Sequence, residues 1–144
     1  VGVMMETASA AVIADMLAKE ADFFFIFTND LTGYTMACDR GNSDVSYLYS
    51  ALQPSVLRLI KHIIECGVKN GIPVGMCGEA AANRMMIPLL ISFGLTEFSV
   101  SAPSVLKVRK TISTWTKQEA DEVAGKVMSM STEREIFDYL KTVI

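Results

Sequence analysis

Three short apolar runs in this chain stop abruptly at polar or acidic residues. Phe23-Phe24-Phe25-Ile26-Phe27 gives way to Thr28-Asn29-Asp30, Val1-Gly2-Val3-Met4-Met5 to Glu6, and Val74-Gly75-Met76-Cys77 to Gly78-Glu79. A strand with one wet face alternates apolar and polar residues. An unbroken run is the pattern of a strand buried on both faces, as in a parallel sheet flanked by helices.

The stretches between the runs have helical spacing. Ala8 to Glu20 is rich in Ala, Leu and Met, which favour helix. Pro54 opens a strong helix in which Val56, Leu57, Ile60, Ile63, Ile64 and Val68 recur along one stripe, and Gly71 closes it. Further helices are expected over Asn83 to Phe93, bent at Pro88, and over Pro103 to Thr114. Glu97 to Val100 supplies a fourth strand. Beyond Trp115 the pattern is purely helical, with capping-box spacing at Thr132 and Glu135. Thr28 to Gln53 reads as a long polar connection, of the kind that carries function or hides a short helix.

Strand and helix thus alternate four times before a helical tail. The fold class is α/β with a parallel sheet. In such folds the carboxyl ends of the strands carry the site. Glu6, Asn29, Asp30, Cys77, Gly78, Glu79 and Ser99 to Ser101 all fall there. A complete (β/α)₈ barrel needs about 250 residues. The 144 residues here hold about half of one, and an open four-stranded sheet fits the periodicity equally well.

Bulk properties exclude several classes. Net charge is −3 and the cations are scattered, which leaves no footprint for nucleic acid. No apolar stretch approaches the roughly 20 residues of a membrane span. Three cysteines, with no C-x-x-C, argue against a disulfide framework or a zinc ribbon and favour a reducing, cytoplasmic compartment. The chain opens on Val1, already inside a strand-like run with no leader, so it is expected to be part of a longer domain.

Several residues could do chemistry. Glu6 and Asp30, from neighbouring strand ends, suit Mg²⁺, which takes few protein ligands; equally, they could cap adjacent helices. Cys77 is a candidate proton donor or nucleophile, or a small buried hydrophobe. Arg40 could grip a phosphate or be an exposed loop residue. Cys66 belongs to the packing of the Pro54 helix, and Cys38 is undecided. His62, the one histidine, shares a solvated face with Arg58, Glu65 and Lys69. Any phosphorylated histidine would have to come from outside the chain.

Together the strand ends form a recognisable set. M-M-E-T-A-S-A-A, F-T-N-D-L-T-G-Y-T-M-A-C-D-R-G-N, V-S-Y-L-Y, Q-P-S-V-L-R-L-I-K, V-G-M-C-G-E-A-A and L-T-E-F-S-V-S-A-P-S strongly resemble the C-terminal phosphoenolpyruvate-binding domain of enzyme I of the bacterial sugar phosphotransferase system. The resemblance runs through nearly the whole chain. It implies the C-terminal half of a phosphoenolpyruvate/pyruvate-type (β/α)₈ TIM barrel, strands five to eight, with the helical tail from about Thr116. Such enzymes pass the phosphoryl group of phosphoenolpyruvate to their own histidine and then to a small histidine phosphocarrier protein, and they dimerise through this domain.

By resemblance, Glu6 and Asp30 would hold Mg²⁺. Asn29 and Arg40 would contact the substrate phosphate, with the Asn29-Asp30 backbone near its carboxylate. Cys77 would protonate the enolate to give pyruvate. The chain departs from the family wording at Phe25-Ile26-Phe27, where Ser-Ile-Gly is usual, and at Thr7-Ala8, Gly33 and Ala82-Asn83. The family's further phosphate-binding arginines and its phosphohistidine domain lie outside these residues. Two rival expectations remain: a diverged, non-catalytic binding or dimerisation module, and another phosphoenolpyruvate-utilising enzyme such as a dikinase, synthase, aldolase or lyase.

Overall fold

The computed structural model describes residues 1–144. The apolar runs form one parallel sheet. Strands β1 (Gly2–Met5), β2 (Phe23–Phe27), β3 (Val74–Cys77) and β4 (Glu97–Phe98) lie side by side in chain order. Met4 stands opposite Phe25, Phe25 opposite Gly75, and Gly75 opposite Glu97.

Parallel neighbours require a crossover at every step. Helices α1 (Ala8–Val12) and α2 (Ala14–Leu17) join β1 to β2. Helices α3 (Thr28–Met36) and α4 (Pro54–Asn70) join β2 to β3. Then α5 (Glu79–Ala82) and α6 (Met86–Phe93) lead to β4. After β4 come α7 (Val105–Ser113), α8 (Lys117–Met128) and α9 (Glu133–Val143).

The core lies on one side of the sheet. Met5, Phe24, Ile26 and Met76 are fully buried there, with Val56, Leu57, Ile60, Ile63 and Ile64 of α4 in the same cluster. The opposite face is open: Phe23 is 44% and Met4 47% exposed, and Phe25 and Phe27 are half-buried. Burial on both faces, expected from the five-residue run, therefore holds on one face only, because no element of this chain covers the other. On that open face the Phe25 ring lies across Gly75, in the space a side chain there would fill.

Other expectations shift. The polar connection from Thr28 begins as helix α3 and later holds a 3₁₀ turn over Ser43–Leu48. The first helix breaks in two at Ile13. The helix expected from Asn83 starts at Met86, which puts Pro88 in the first turn of α6, where a missing N–H costs little. Val68 is exposed, leaving a narrower α4 stripe. The fourth strand ends at Phe98, and a 3₁₀ turn (Ala102–Ser104) precedes α7.

The tail follows its caps. Thr132 and Glu135 form the expected capping box, and Thr116 and Glu119 form a second one at the start of α8. Ala120, Val123, Ala124 and Val127 are the buried positions of α8. No helix is long and apolar enough to cross a membrane.

Candidate functional site

Strand β2 runs straight into α3, with Thr28 the first helical residue. The buried Thr28 hydroxyl donates to the Cys77 carbonyl at 3.1 Å. The Cys77 thiol in turn points to the Ile26 carbonyl at 3.7 Å. These contacts tie the carboxyl ends of β2 and β3 together.

Asn29 is held at both ends. Its side-chain Oδ1 accepts from the Glu79 N–H at 3.3 Å, and its backbone carbonyl accepts from the Tyr49 hydroxyl at 2.8 Å. Gly78, at φ +94°, makes the first contact feasible. A Cβ there would press on the Thr28 hydroxyl and come within 3.0 Å of Asn29 Oδ1, in a conformation that favours glycine.

Asn29, Asp30 and Arg40 line one cavity of about 800 Å³, together with Phe27, Cys38 and Tyr49. The Arg40 guanidinium lies 3.7 Å from the Glu79 carboxylate, with the two side chains 59% and 78% exposed. A pair so exposed is worth about 0–1 kcal/mol, so Arg40 can exchange that partner for a ligand anion at little cost. Burial pushes the Tyr49 hydroxyl above its ordinary pKa, and the neighbouring Arg40 pulls it part of the way back.

Glu6 and Cys77 are not in the lining of that cavity. Phe27 stands opposite Cys77, and Met5 opposite Ile26, so the register carried one residue past β1 brings Glu6 beside Phe27. Glu6, Phe27 and Cys77 therefore form one row on the open face, with the phenyl ring in the middle. Burial pushes the Cys77 thiol up, a backbone contact offsets part of that, and the Glu6 carboxylate adds a further upward push. The thiol therefore keeps its proton through neutral pH.

Glu6 and Asp30 are half-buried, and neither carboxylate takes part in an ion pair. Carboxylate oxygens are the donor type that Mg²⁺ takes, but Asp30 lines the cavity and Glu6 does not. No group of three or more His, Cys, Asp or Glu side chains comes together as a cation cage.

Sequence reasoning gave no role to Tyr49 or to the backbone N–H of Glu79. Tyr49 sits in the quoted V-S-Y-L-Y stretch, but a hydroxyl-to-carbonyl contact leaves no spacing signature. Cys38, left undecided, is buried against the cavity. His62 is half-buried and lies away from the site, its Nε2 3.6 Å from the buried Cys66 sulfur.

Residues 1–117 match the PEP-binding domain of the PEP-utilising enzymes. The chain belongs to the PEP-utilising enzyme family. Among curated relatives, it is 53% identical over 141 residues to the phosphoenolpyruvate-protein phosphotransferase of Bacillus subtilis, covering 98% of this chain and 25% of that protein. It is 48% identical over 137 residues to the protein of the same name from Staphylococcus epidermidis, covering 95% and 24%. The corresponding protein of Geobacillus stearothermophilus is 48% identical over 141 residues, covering 98% and 24%. The chain spans about a quarter of the length of these relatives. In this PEP-utilising domain the cavity opens at the carboxyl end of β2, where a parallel sheet places its ligands.

Proposed function

We propose that this chain is the phosphoenolpyruvate- and Mg²⁺-binding portion of a phosphoenolpyruvate-protein phosphotransferase. The observation that carries this reading is the gathering of Asn29, Asp30 and Arg40 on one cavity at the end of β2. Arg40 would take the substrate phosphate through its planar fork, with the Asn29 amide beside it. The Asn29-Asp30 backbone, at the first turn of α3, would receive the carboxylate. Glu6 and Asp30 would hold Mg²⁺, whose charge would neutralise the phosphate in transfer.

The P–O bond of phosphoenolpyruvate breaks as a P–N bond forms to a histidine outside this chain, and an enolate is left. Cys77, protonated at neutral pH, gives its proton to the enolate carbon, yielding pyruvate. Solvent then restores the thiol. From that histidine the phosphoryl group would pass to a small histidine phosphocarrier protein. A cytoplasmic location goes with this role.

The finer fold in this reading is half of a (β/α)₈ barrel with its helical tail. Three surfaces support it. The open sheet face shows Phe23 and Met4, the β1 side shows Val12 and Met16 on α1 and α2, and the β4 side shows Leu106 on α7, all exposed. Closure of a ring would cover that face and both flanks. Free parallel edges at β1 and β4 invite pairing, and a homodimer is the expected state of the chain. A monodisperse monomer in light scattering would contradict this.

Titration with phosphoenolpyruvate tests the binding site. Binding should require Mg²⁺ and be lost in Asp30→Ala and Arg40→Ala. Binding that survives both substitutions would overturn the assignment.

A further inference from the structure

A second cavity, of about 610 Å³, lies between α7, the start of α8 and the end of α9. It shares no lining residue with the cavity that holds Asn29, Asp30 and Arg40. Arg84, Lys107 and Lys110 line it against a single acid, Glu119. That acid is already engaged by the backbone N–H and hydroxyl of Thr116. An adjoining cavity shares Arg84 and Lys107 and adds Lys141.

None of these four cations forms an ion pair. Arg84 makes one hydrogen bond, to the Ile144 carbonyl at 2.9 Å. Lys107 and Lys110 lie three residues apart on α7 and so project from one helix face. Arg84, Lys107, Lys110 and Lys141 outnumber the one acid, Glu119, around these adjoining hollows in a chain of net charge −3, so their mutual repulsion is only partly offset. An anion would relieve it. The wall also carries Trp115, half-buried and packed in part against the core.

The geometry points to a second ligand site here, for a small organic polyanion that carries phosphate or carboxylate groups and a flat ring. The cations would take the anionic groups, and the indole would stack on the ring. The site does not rest on the phosphotransferase reading, since none of its residues takes part in that chemistry.

Trp115 is the only tryptophan of the chain, so its fluorescence reports on this cavity alone. ATP serves as a probe with both features, and tripolyphosphate as a probe with charge but no ring. ATP should change Trp115 emission saturably. The double substitution Lys107→Glu and Lys110→Glu should weaken ATP binding at least tenfold; both side chains are exposed, so the fold tolerates the change. Arg40→Ala should leave the response as it was. Tripolyphosphate should bind several-fold more weakly than ATP. No saturable response to ATP, or one unchanged by the charge reversals, would overturn the site. Loss of the response in Arg40→Ala would move the ligand to the other cavity and overturn it too. Equal affinity for the two probes would remove the ring from the proposal and overturn the role of Trp115.

Discussion

The Tyr49 hydroxyl donates a 2.8 Å hydrogen bond to the backbone carbonyl of Asn29, twenty residues earlier in the chain. This bond clamps the segment carrying Arg40 against the first turn of α3. Asn29, Arg40 and Tyr49 line the same cavity, so the bond ties two parts of its wall together.

Tyr49→Phe keeps the ring and removes the clamp. A lost hydrogen bond of this kind costs about 0.5–1.5 kcal/mol. Urea denaturation should show a stability loss in that range, and phosphoenolpyruvate should bind more weakly as the Arg40 segment loosens. Unchanged stability together with unchanged affinity would remove Tyr49 from the site.

The open face makes a separate prediction about packing. Gly75→Ala puts a methyl group into the Phe25 ring. Overpacking of this kind costs about 1–3 kcal/mol. Phe25→Ala in the same chain should recover much of that loss, because the space is shared between two paired residues. Strictly additive losses in the double variant would contradict the observed register.

Cys77 makes the pH prediction. The protonated thiol is the active form of a proton donor. Burial raises its pKa, so the proton is retained at neutral pH and lost only as pH rises into the alkaline range. Pyruvate formation should accordingly fall on the alkaline side. The assay uses a chimera carrying this chain in place of the matching quarter of the Bacillus subtilis relative. Cys77→Ser should lower pyruvate formation by about 10²–10⁴-fold, the usual contribution of a positioned acid, and should abolish the alkaline limb. An alkaline limb identical in the serine variant would assign that proton to another group.

The strands were legible because Phe23–Phe27 and Val74–Cys77 are short apolar runs with polar stops. Helix α4 was legible because its apolar residues recur at helical spacing between a proline and a glycine. Helix α3 was not. Its sequence, Thr-Asn-Asp-Leu-Thr-Gly-Tyr-Thr-Met, has no continuous apolar stripe, and it follows β2 with no intervening turn. Covering only one face of the sheet was equally hidden, since Phe23, Phe25 and Phe27 are apolar whether or not anything packs on them. At the site, Asn29, Asp30 and Arg40 were readable as residue types. The row that puts Phe27 between Glu6 and Cys77 depends on strand register, which no local pattern in the chain specifies.

The most direct test is pyruvate release from phosphoenolpyruvate by the same chimera, with and without Mg²⁺, as the native segment and as Asp30→Ala. The account predicts Mg²⁺-dependent release from the native segment and a loss of at least a hundredfold in Asp30→Ala, in keeping with the weight that charge stabilisation carries in phosphoryl transfer. A folded chimera that releases no pyruvate, or one whose release is unaffected by removing either Mg²⁺ or the Asp30 carboxylate, would contradict it.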